Sequence, residues 1–202
     1  MDAQDSWHVA SLLPSHRDDF LAFFDHERGR AFADNPAWAG CYCHCFHAAP
    51  VLDFDTLAPA ANRTAIAARI EVGEMEGFLA RDGSGRIVGW LNAQPRHKAP
   101  HCFARLGIDA PPIDVAAHDA AVVLCFVVDP DLRRQGIGRA LVAHALDDFR
   151  ERGVRVVDAF PSRAEGAAPS GHFRGPRTLF EALGFTAIAE DERIAVMRKR
   201  LR

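Results

Sequence analysis

An apolar run ends at Val127-Val128-Asp129-Pro130, and Arg133-Arg134-Gln135-Gly136-Ile137-Gly138-Arg139 then opens a helical pattern. That order can hold an anion. A strand feeding a helix N-terminus directs unpaired amide N–H groups and the positive end of the helix dipole at one point, a site for phosphate or pyrophosphate. Gly136 and Gly138 have no Cβ, so they leave those amides uncovered, and Arg133, Arg134 and Arg139 add positive charge around them. The same order also makes a plain tight strand-to-helix turn, and the short motif leaves both readings open. Two other phosphate loops are excluded. No Gly-Lys-Ser/Thr follows the glycines, and the dinucleotide fingerprint needs a third glycine where Leu141 stands.

Proton chemistry has fewer candidates. His118 and Asp119 lie just before the apolar run and His172 lies before the last helical pattern; each can act as a base, though residues so placed are more often solvated loop residues. Cys41, Cys43 and Cys45 alternate and would share one face of an extended strand, with His44 and His47 nearby. The spacing C-x-C-x-C departs from the usual structural zinc pattern of C-x₂₋₄-C, so small buried thiols are the expectation and no metal is assigned. Cys125, inside the apolar run, reads as an inert buried thiol.

Arg133-x-x-Gly136-x-Gly138 after a strand ending in Val-Asp-Pro resembles the acetyl-CoA pyrophosphate loop of the GNAT acyltransferase superfamily. Downstream, Leu179-Phe180-Glu181-Ala182-Leu183-Gly184-Phe185 is similar to that superfamily's last helix and its ending, L-Y-x-x-x-G-F. The resemblance covers residues 77 to 200 well and the first 76 residues mainly in element order. It implies an N-acetyltransferase that moves an acetyl group from acetyl-CoA to an amine of a small molecule or protein by direct attack in a ternary complex. It further implies that the backbone of Phe126, Val127 and Val128 binds pantetheine and the acyl carbonyl. Pyrophosphate would lie on Arg133, Arg134, Gln135, Gly136, Ile137, Gly138 and Arg139. The tyrosine that many members use as general acid corresponds to Phe180, and the glutamate base of some relatives to about Val122. That departure keeps a non-catalytic acyl-CoA-binding sensor as the alternative. The acceptor walls implied are residues 34 to 47 with Trp38, Tyr42 and Phe46, the stretch Trp90 to Arg96, and the loop 97 to 119, where Asp109, Asp114 and Asp119 could attract an ammonium.

Positioning these residues takes strands alternating with helices. A first strand is expected over 7–13, a helix after Pro14-Ser15, and a helix beginning near Arg63 with Asn62 as its cap. A hairpin turns at Asp82-Gly83-Ser84-Gly85. Four prolines make 95–119 a long loop before the central strand 120–128. A helix from Gly138 to Arg152-Gly153, a strand over 154–160, a helix with Pro176 as first residue and a closing hairpin complete the pattern. The pattern indicates a mixed α/β layer fold, and the resemblance sharpens this to α/β with a single GNAT-like domain over 1–202, a mixed, mostly antiparallel sheet flanked by helices.

The 202 residues suffice for a full core without disulfides, and five cysteines, an odd number, argue for reduced thiols. With 25% charged residues and a net charge of -3, no nucleic-acid or anionic-membrane partner is expected. The acidic N-terminus reads as no signal peptide, which suggests a cytoplasmic protein; a homodimer is common in the fold the resemblance implies.

Overall fold

Ala120–Val128 is apolar along all nine residues, as a strand covered on both faces must be, and it forms the centre of the sheet. The computed structural model describes residues 7–25, 29–51, 57–163 and 173–202. Within them lie β1 (His8–Ser11), α1 (Arg17–Phe24), α2 (Pro36–Ala39), α3 (Pro59–Glu71), β2 (Phe78–Arg81) and β3 (Ile87–Pro95). The chain continues through α4 (Cys102–Leu106), β4 (Ala120–Val128), α5 (Ile137–Glu151), β5 (Val156–Ala159), α6 (Arg177–Ala182), β6 (Thr186–Glu190) and β7 (Ala195–Arg200). The strands form a seven-stranded sheet in the order β1-β2-β3-β4-β5-β7-β6. Every neighbouring pair is antiparallel except β4 and β5, which run parallel, so the expected mixed, mostly antiparallel sheet is present.

Helices cover both faces. The stripe Ile137, Leu141, Val142, Ala145, Leu146 and Phe149 lays α5 against Phe78, Val88, Leu91 and Ala93. Gly89 permits the close approach, since a Cβ there would stand 2.9 Å from Ile137 Cγ2. On the other face, Phe20 and Phe24 of α1 and Ile66 and Ile70 of α3 bury against β3, with the Phe20 ring edge-on to Trp90 at 4.9 Å. Beyond the central strands, Asp158 of β5 is buried and held by a two-point ion pair from Arg198 of β7 at 2.7 and 2.8 Å.

Several boundaries differ from the sequence expectation for local reasons. The helix expected from Arg63 begins earlier, at Pro59, whose fixed φ suits a first helical residue. Asn62 is therefore no cap; it lies inside α3, buried, and donates to the Gly40 carbonyl at 3.0 Å. Pro176 lies one position outside α6, with extended ψ of 142°. The loop 95–119 contains the short helix α4, closed by Gly107 in the left-handed region at φ 69°. Residues 41–47 form successive turns in place of a strand, with Tyr42 and Cys43 at φ 45° and 58°, so the three cysteines do not share a strand face.

Buried polar side chains hold that turn segment onto the sheet. His44 Nδ1 meets Asn62 Oδ1 at 2.9 Å, Gln94 donates to Asn92 Oδ1 at 2.9 Å, and Gln94 Nε2 lies 3.3 Å from His47 Nε2. Burial, with the charges of Arg69, His44 and His101, lowers the His47 pKa from 6.5 to about 3. Since the folded pKa lies below the unfolded one, the contribution of neutral His47 is complete above pH 6.5 and is lost as the pH falls toward 3. His47→Gln should therefore shrink the stability difference between pH 7 and pH 4 by about 3 kcal/mol in urea titrations. An unchanged difference would place the acid sensitivity elsewhere.

Candidate functional site

β4 pairs with β5 only from Ala120↔Val156 to Val123↔Ala159; past that point its remaining residues have no β5 neighbour. The Asp129 amide donates to the Val88 carbonyl at 2.9 Å, and Val127 lies opposite Trp90. Because antiparallel backbone groups alternate in direction, Val127 then points its peptide groups into β3, while Phe126 and Val128 point theirs into the gap left by β5. The resemblance to known acyltransferases assigned all three to pantetheine. Two of them offer main-chain groups there and Val127 does not. The Phe126 amide is engaged by the Phe173 carbonyl at 2.6 Å.

The loop beyond β4 is fixed by charge. Asp129 caps the 3₁₀ turn Pro130–Leu132 by accepting the Asp131 amide at 3.1 Å, and Arg30 binds both its oxygens at 2.7 and 2.9 Å. Burial disfavours the Asp129 charge, but Arg30 and the Asp131 amide outweigh it and hold the carboxyl below the usual carboxylate range. Arg133 in turn grips Asp34 at 2.6 and 2.9 Å, and this contact holds Asp34 low as well. Two crossed Arg–Asp pairs thus tie residues 30–34 to the loop. Arg133 is already matched by a carboxylate, so its role here is to position the loop. Arg30 and Asp34 were invisible to motif reading because each lies about a hundred residues from its partner in sequence.

Arg134 and Gly136 adopt φ of 65° and 90°, which turns the chain sharply into α5. The amides of Ile137, Gly138 and Arg139 have no earlier helical carbonyl to bond, and α5 carries no acidic residue in its first turn. Arg134, Gln135, Gly136 and Arg139 are exposed around this point. A cleft of about 720 Å³ runs from Gly136 and Gly138 along Phe126 and Val128 to Leu179. A Cβ on Gly138 would stand 3.3 Å from the Phe126 ring, inside that cleft.

A second cleft, of about 490 Å³, shares Phe32 and Phe173 with the first. Trp38, Phe46, Cys41, Cys43, Cys45 and Cys125 line it, together with Arg105 and Arg174. The Cys43 sulfur accepts the Asn92 amide at 3.3 Å. Cys125, hydrogen-bonded to that sulfur and buried, is held well above the ordinary thiol range, as expected of an inert thiol. Among the described residues no group of three or more His, Cys, Asp and Glu is arranged to hold a metal ion.

The other expected acceptor residues are elsewhere. Trp90 is fully buried core, and Tyr42 is buried with its hydroxyl donating to Asp25 at 2.8 Å. Asp114 pairs with Arg200, and Asp109 lines a separate depression beside Ile188–Ile194. His118 and Asp119 face each other at 3.2 Å at the far end of β4, roughly 20 Å from Phe126 by strand rise. The structure does not bring them to either cleft. His172 lies outside the described residues. Phe180 is buried and stacks edge-on with Phe185 at 5.3 Å, so it offers packing and no proton.

Residues 12–168 match the acetyltransferase (GNAT) family. The chain belongs to that family. It is 40% identical over 67 residues to the [ribosomal protein bS18]-alanine N-acetyltransferase of Escherichia coli K12, a stretch covering 33% of this chain and 40% of the relative. The chain thus spans about two fifths of the length of the curated relatives it matches. The crystal structure of the Escherichia coli ribosomal-protein-S18-alanine N-acetyltransferase aligns with a TM-score of 0.54 at 17% identity, covering 97% of this chain and 94% of that one. The paia N-acetyltransferase of Thermoplasma acidophilum in complex with coenzyme A aligns at 0.56 with 12% identity, covering 96% and 99%. These likenesses carry the GNAT fold.

Gly138→Glu tests the GNAT loop directly, because it sets a carboxylate at the helix start beside Phe126. Calorimetry should show CoA affinity weakened at least about tenfold, or 1.4 kcal/mol, with an unchanged circular dichroism spectrum. Unchanged affinity in the folded variant would move the anion site elsewhere.

Proposed function

We propose that the protein is an acetyl-CoA-dependent N-acetyltransferase acting by direct attack of an amine in a ternary complex. The observation that carries this reading is the continuity of three features: gap-facing backbone of Phe126 and Val128, the amide-rich start of α5, and a second cleft that meets the first at Phe32 and Phe173. Acetyl-CoA supplies the activated acetyl thioester. The residues that would hold its pyrophosphate are Arg134, Gln135, Gly136, Ile137, Gly138 and Arg139, with Arg133 fixing the loop through Asp34. The Phe126 and Val128 amides would line the pantetheine arm, and an amide aimed at the acyl oxygen is the preorganised donor that acyl transfer requires.

Proton transfer is less elaborate than in relatives with a tyrosine acid. Neither cleft is lined by Asp, Glu or His among the described residues. A thiolate whose parent thiol has a pKa near ~8.5 leaves tolerably without help, and general acid assistance adds about 10²–10⁴-fold. The acceptor therefore loses its proton to water before attack. This same lack of an acid and base is what favours the acyl-CoA-binding sensor as a second reading.

Release of CoA thiol in the presence of a panel of small amines and amino-terminal peptides separates the two. The enzyme reading expects turnover whose kcat/KM climbs with pH toward the acceptor's own amine pKa. A plateau set near pH 6.5 would reveal an enzyme histidine, and acetyl-CoA binding without turnover on any amine would establish the sensor.

A further inference from the structure

Arg174 is a half-buried guanidinium on the wall of the second cleft, stacked 5.3 Å from the Phe173 ring. Its Nε is buried and has no hydrogen-bond partner among the described residues. Burial first, and then the like charge of Arg193, pull it below its ordinary value. Among the described residues no carboxylate pairs with it, and a desolvated cation left without a counter-charge is costly, so its position in a cleft is explained when a ligand brings the anion. The rest of the wall agrees in sign. Among the described residues Arg105 is the other charged lining residue, fixed by the Ala48 and Ala49 carbonyls. Leu57 and Pro59 bring the N-terminus of the thirteen-residue α3 to the same cleft, with no acidic residue in its first turn. Among the described residues no carboxylate lines it.

We infer that the acceptor is a small amine that carries its own oxyanion, a carboxylate or phosphonate, which Arg174 binds at the rim of the second cleft while the amine points toward Phe126. This deepens the acetyltransfer reading and rests on it. Trp38 and Phe46 supply faces for an apolar body, and the planar guanidinium offers the paired donors that carboxylate and phosphonate geometry favours. The positive wall also has a chemical consequence. Like charge disfavours the ammonium form of the bound amine, so the same cation that holds the oxyanion promotes the neutral nucleophile. A polyamine or a peptide amino terminus, with no oxyanion close to its amine, leaves Arg174 unmatched.

The test compares L-leucine, β-alanine and 4-aminobutyrate, each with its amide and its phosphonate analogue, by initial rates of CoA release for the wild type, Arg174→Gln and Arg174→Lys. The expected result is a preference of at least about tenfold in kcat/KM for an oxyanion-bearing acceptor over its amide, the loss expected when a charge-assisted hydrogen bond is absent. Arg174→Gln should bring that ratio near unity, Arg174→Lys should retain part of it, and acetyl-CoA affinity by calorimetry should stay the same in all three. The carboxylate and phosphonate arms identify which oxyanion is used. Equal or better use of the amides or of a peptide amino terminus by the wild type overturns the inference. A ratio unchanged in folded Arg174→Gln does the same. If acetyl-CoA binds but no acceptor releases CoA, it is the acetyltransfer reading that fails; titrating the same zwitterions into the CoA complex then decides, with binding lost in Arg174→Gln supporting the anion site and no binding to the wild type overturning it.

Discussion

A buried peptide group needs a hydrogen-bond partner, and the arrangement of this protein follows from one strand that loses its neighbour. β4 is satisfied on its β3 side along its length, but on the other side β5 accompanies it only as far as Val123. Every later N–H and C=O on that side must find water, a loop or a ligand. The alternation of the strand selects Phe126 and Val128 for this exposure, and the same strand delivers the chain to α5 so that the next unsatisfied amides follow directly. Main chain, with no contribution from side-chain identity, therefore lines the strand gap and leads to the helix start, the Phe126 amide being held by the Phe173 carbonyl. This explains how bulky apolar residues can serve a polar function while their side chains remain in or beside the core.

Holding that track in place falls to long-range electrostatics. Arg30 reaches Asp129 and Arg133 reaches Asp34, so each of two segments contributes one cation and one anion to the other. The pairs differ in weight. Asp129 is only 2% exposed and would be an uncompensated buried charge without Arg30, a loss on the order of 3–5 kcal/mol. Arg133 and Asp34 are partly solvated and contribute less, but they fix the angle at which the loop leaves the 3₁₀ turn. The clamp also carries Phe32, which lies between its two ends in sequence and lines both clefts.

The local grammar of the chain was legible: the apolar run of β4, the hairpin at Asp82-Gly85, the glycines before α5, and the Phe180–Phe185 contact at the end of α6 all obey short-range rules. Contacts across large sequence distances were not. Nothing near Asn62 announces that its amide will bond Gly40 and His44, so a residue that reads as a cap became an internal bracket. His118 and Asp119 look close to the chemistry because they adjoin β4, yet they adjoin the wrong end of it. The alternating cysteines suggested a strand because period two is a strand signal, but positive φ at Tyr42 and Cys43 breaks that period. The family motif marks the loop that precedes α5, whereas the partner that neutralises Arg133 comes from a segment with no motif at all.

The hydrogen bond from the Phe126 amide to the Phe173 carbonyl gives the two clefts a shared thermodynamic coordinate. A ligand carbonyl that takes the Phe126 amide exchanges one hydrogen bond for another, so its net gain is the difference between two bonds and not the full worth of one. The displaced carbonyl belongs to the residue that precedes Arg174 and that lines both clefts. A ligand in the first cleft that displaces this carbonyl would therefore act on the wall of the second, and linkage would make the reverse effect equal in free energy. Two ligands, one in each cleft, would then not bind independently.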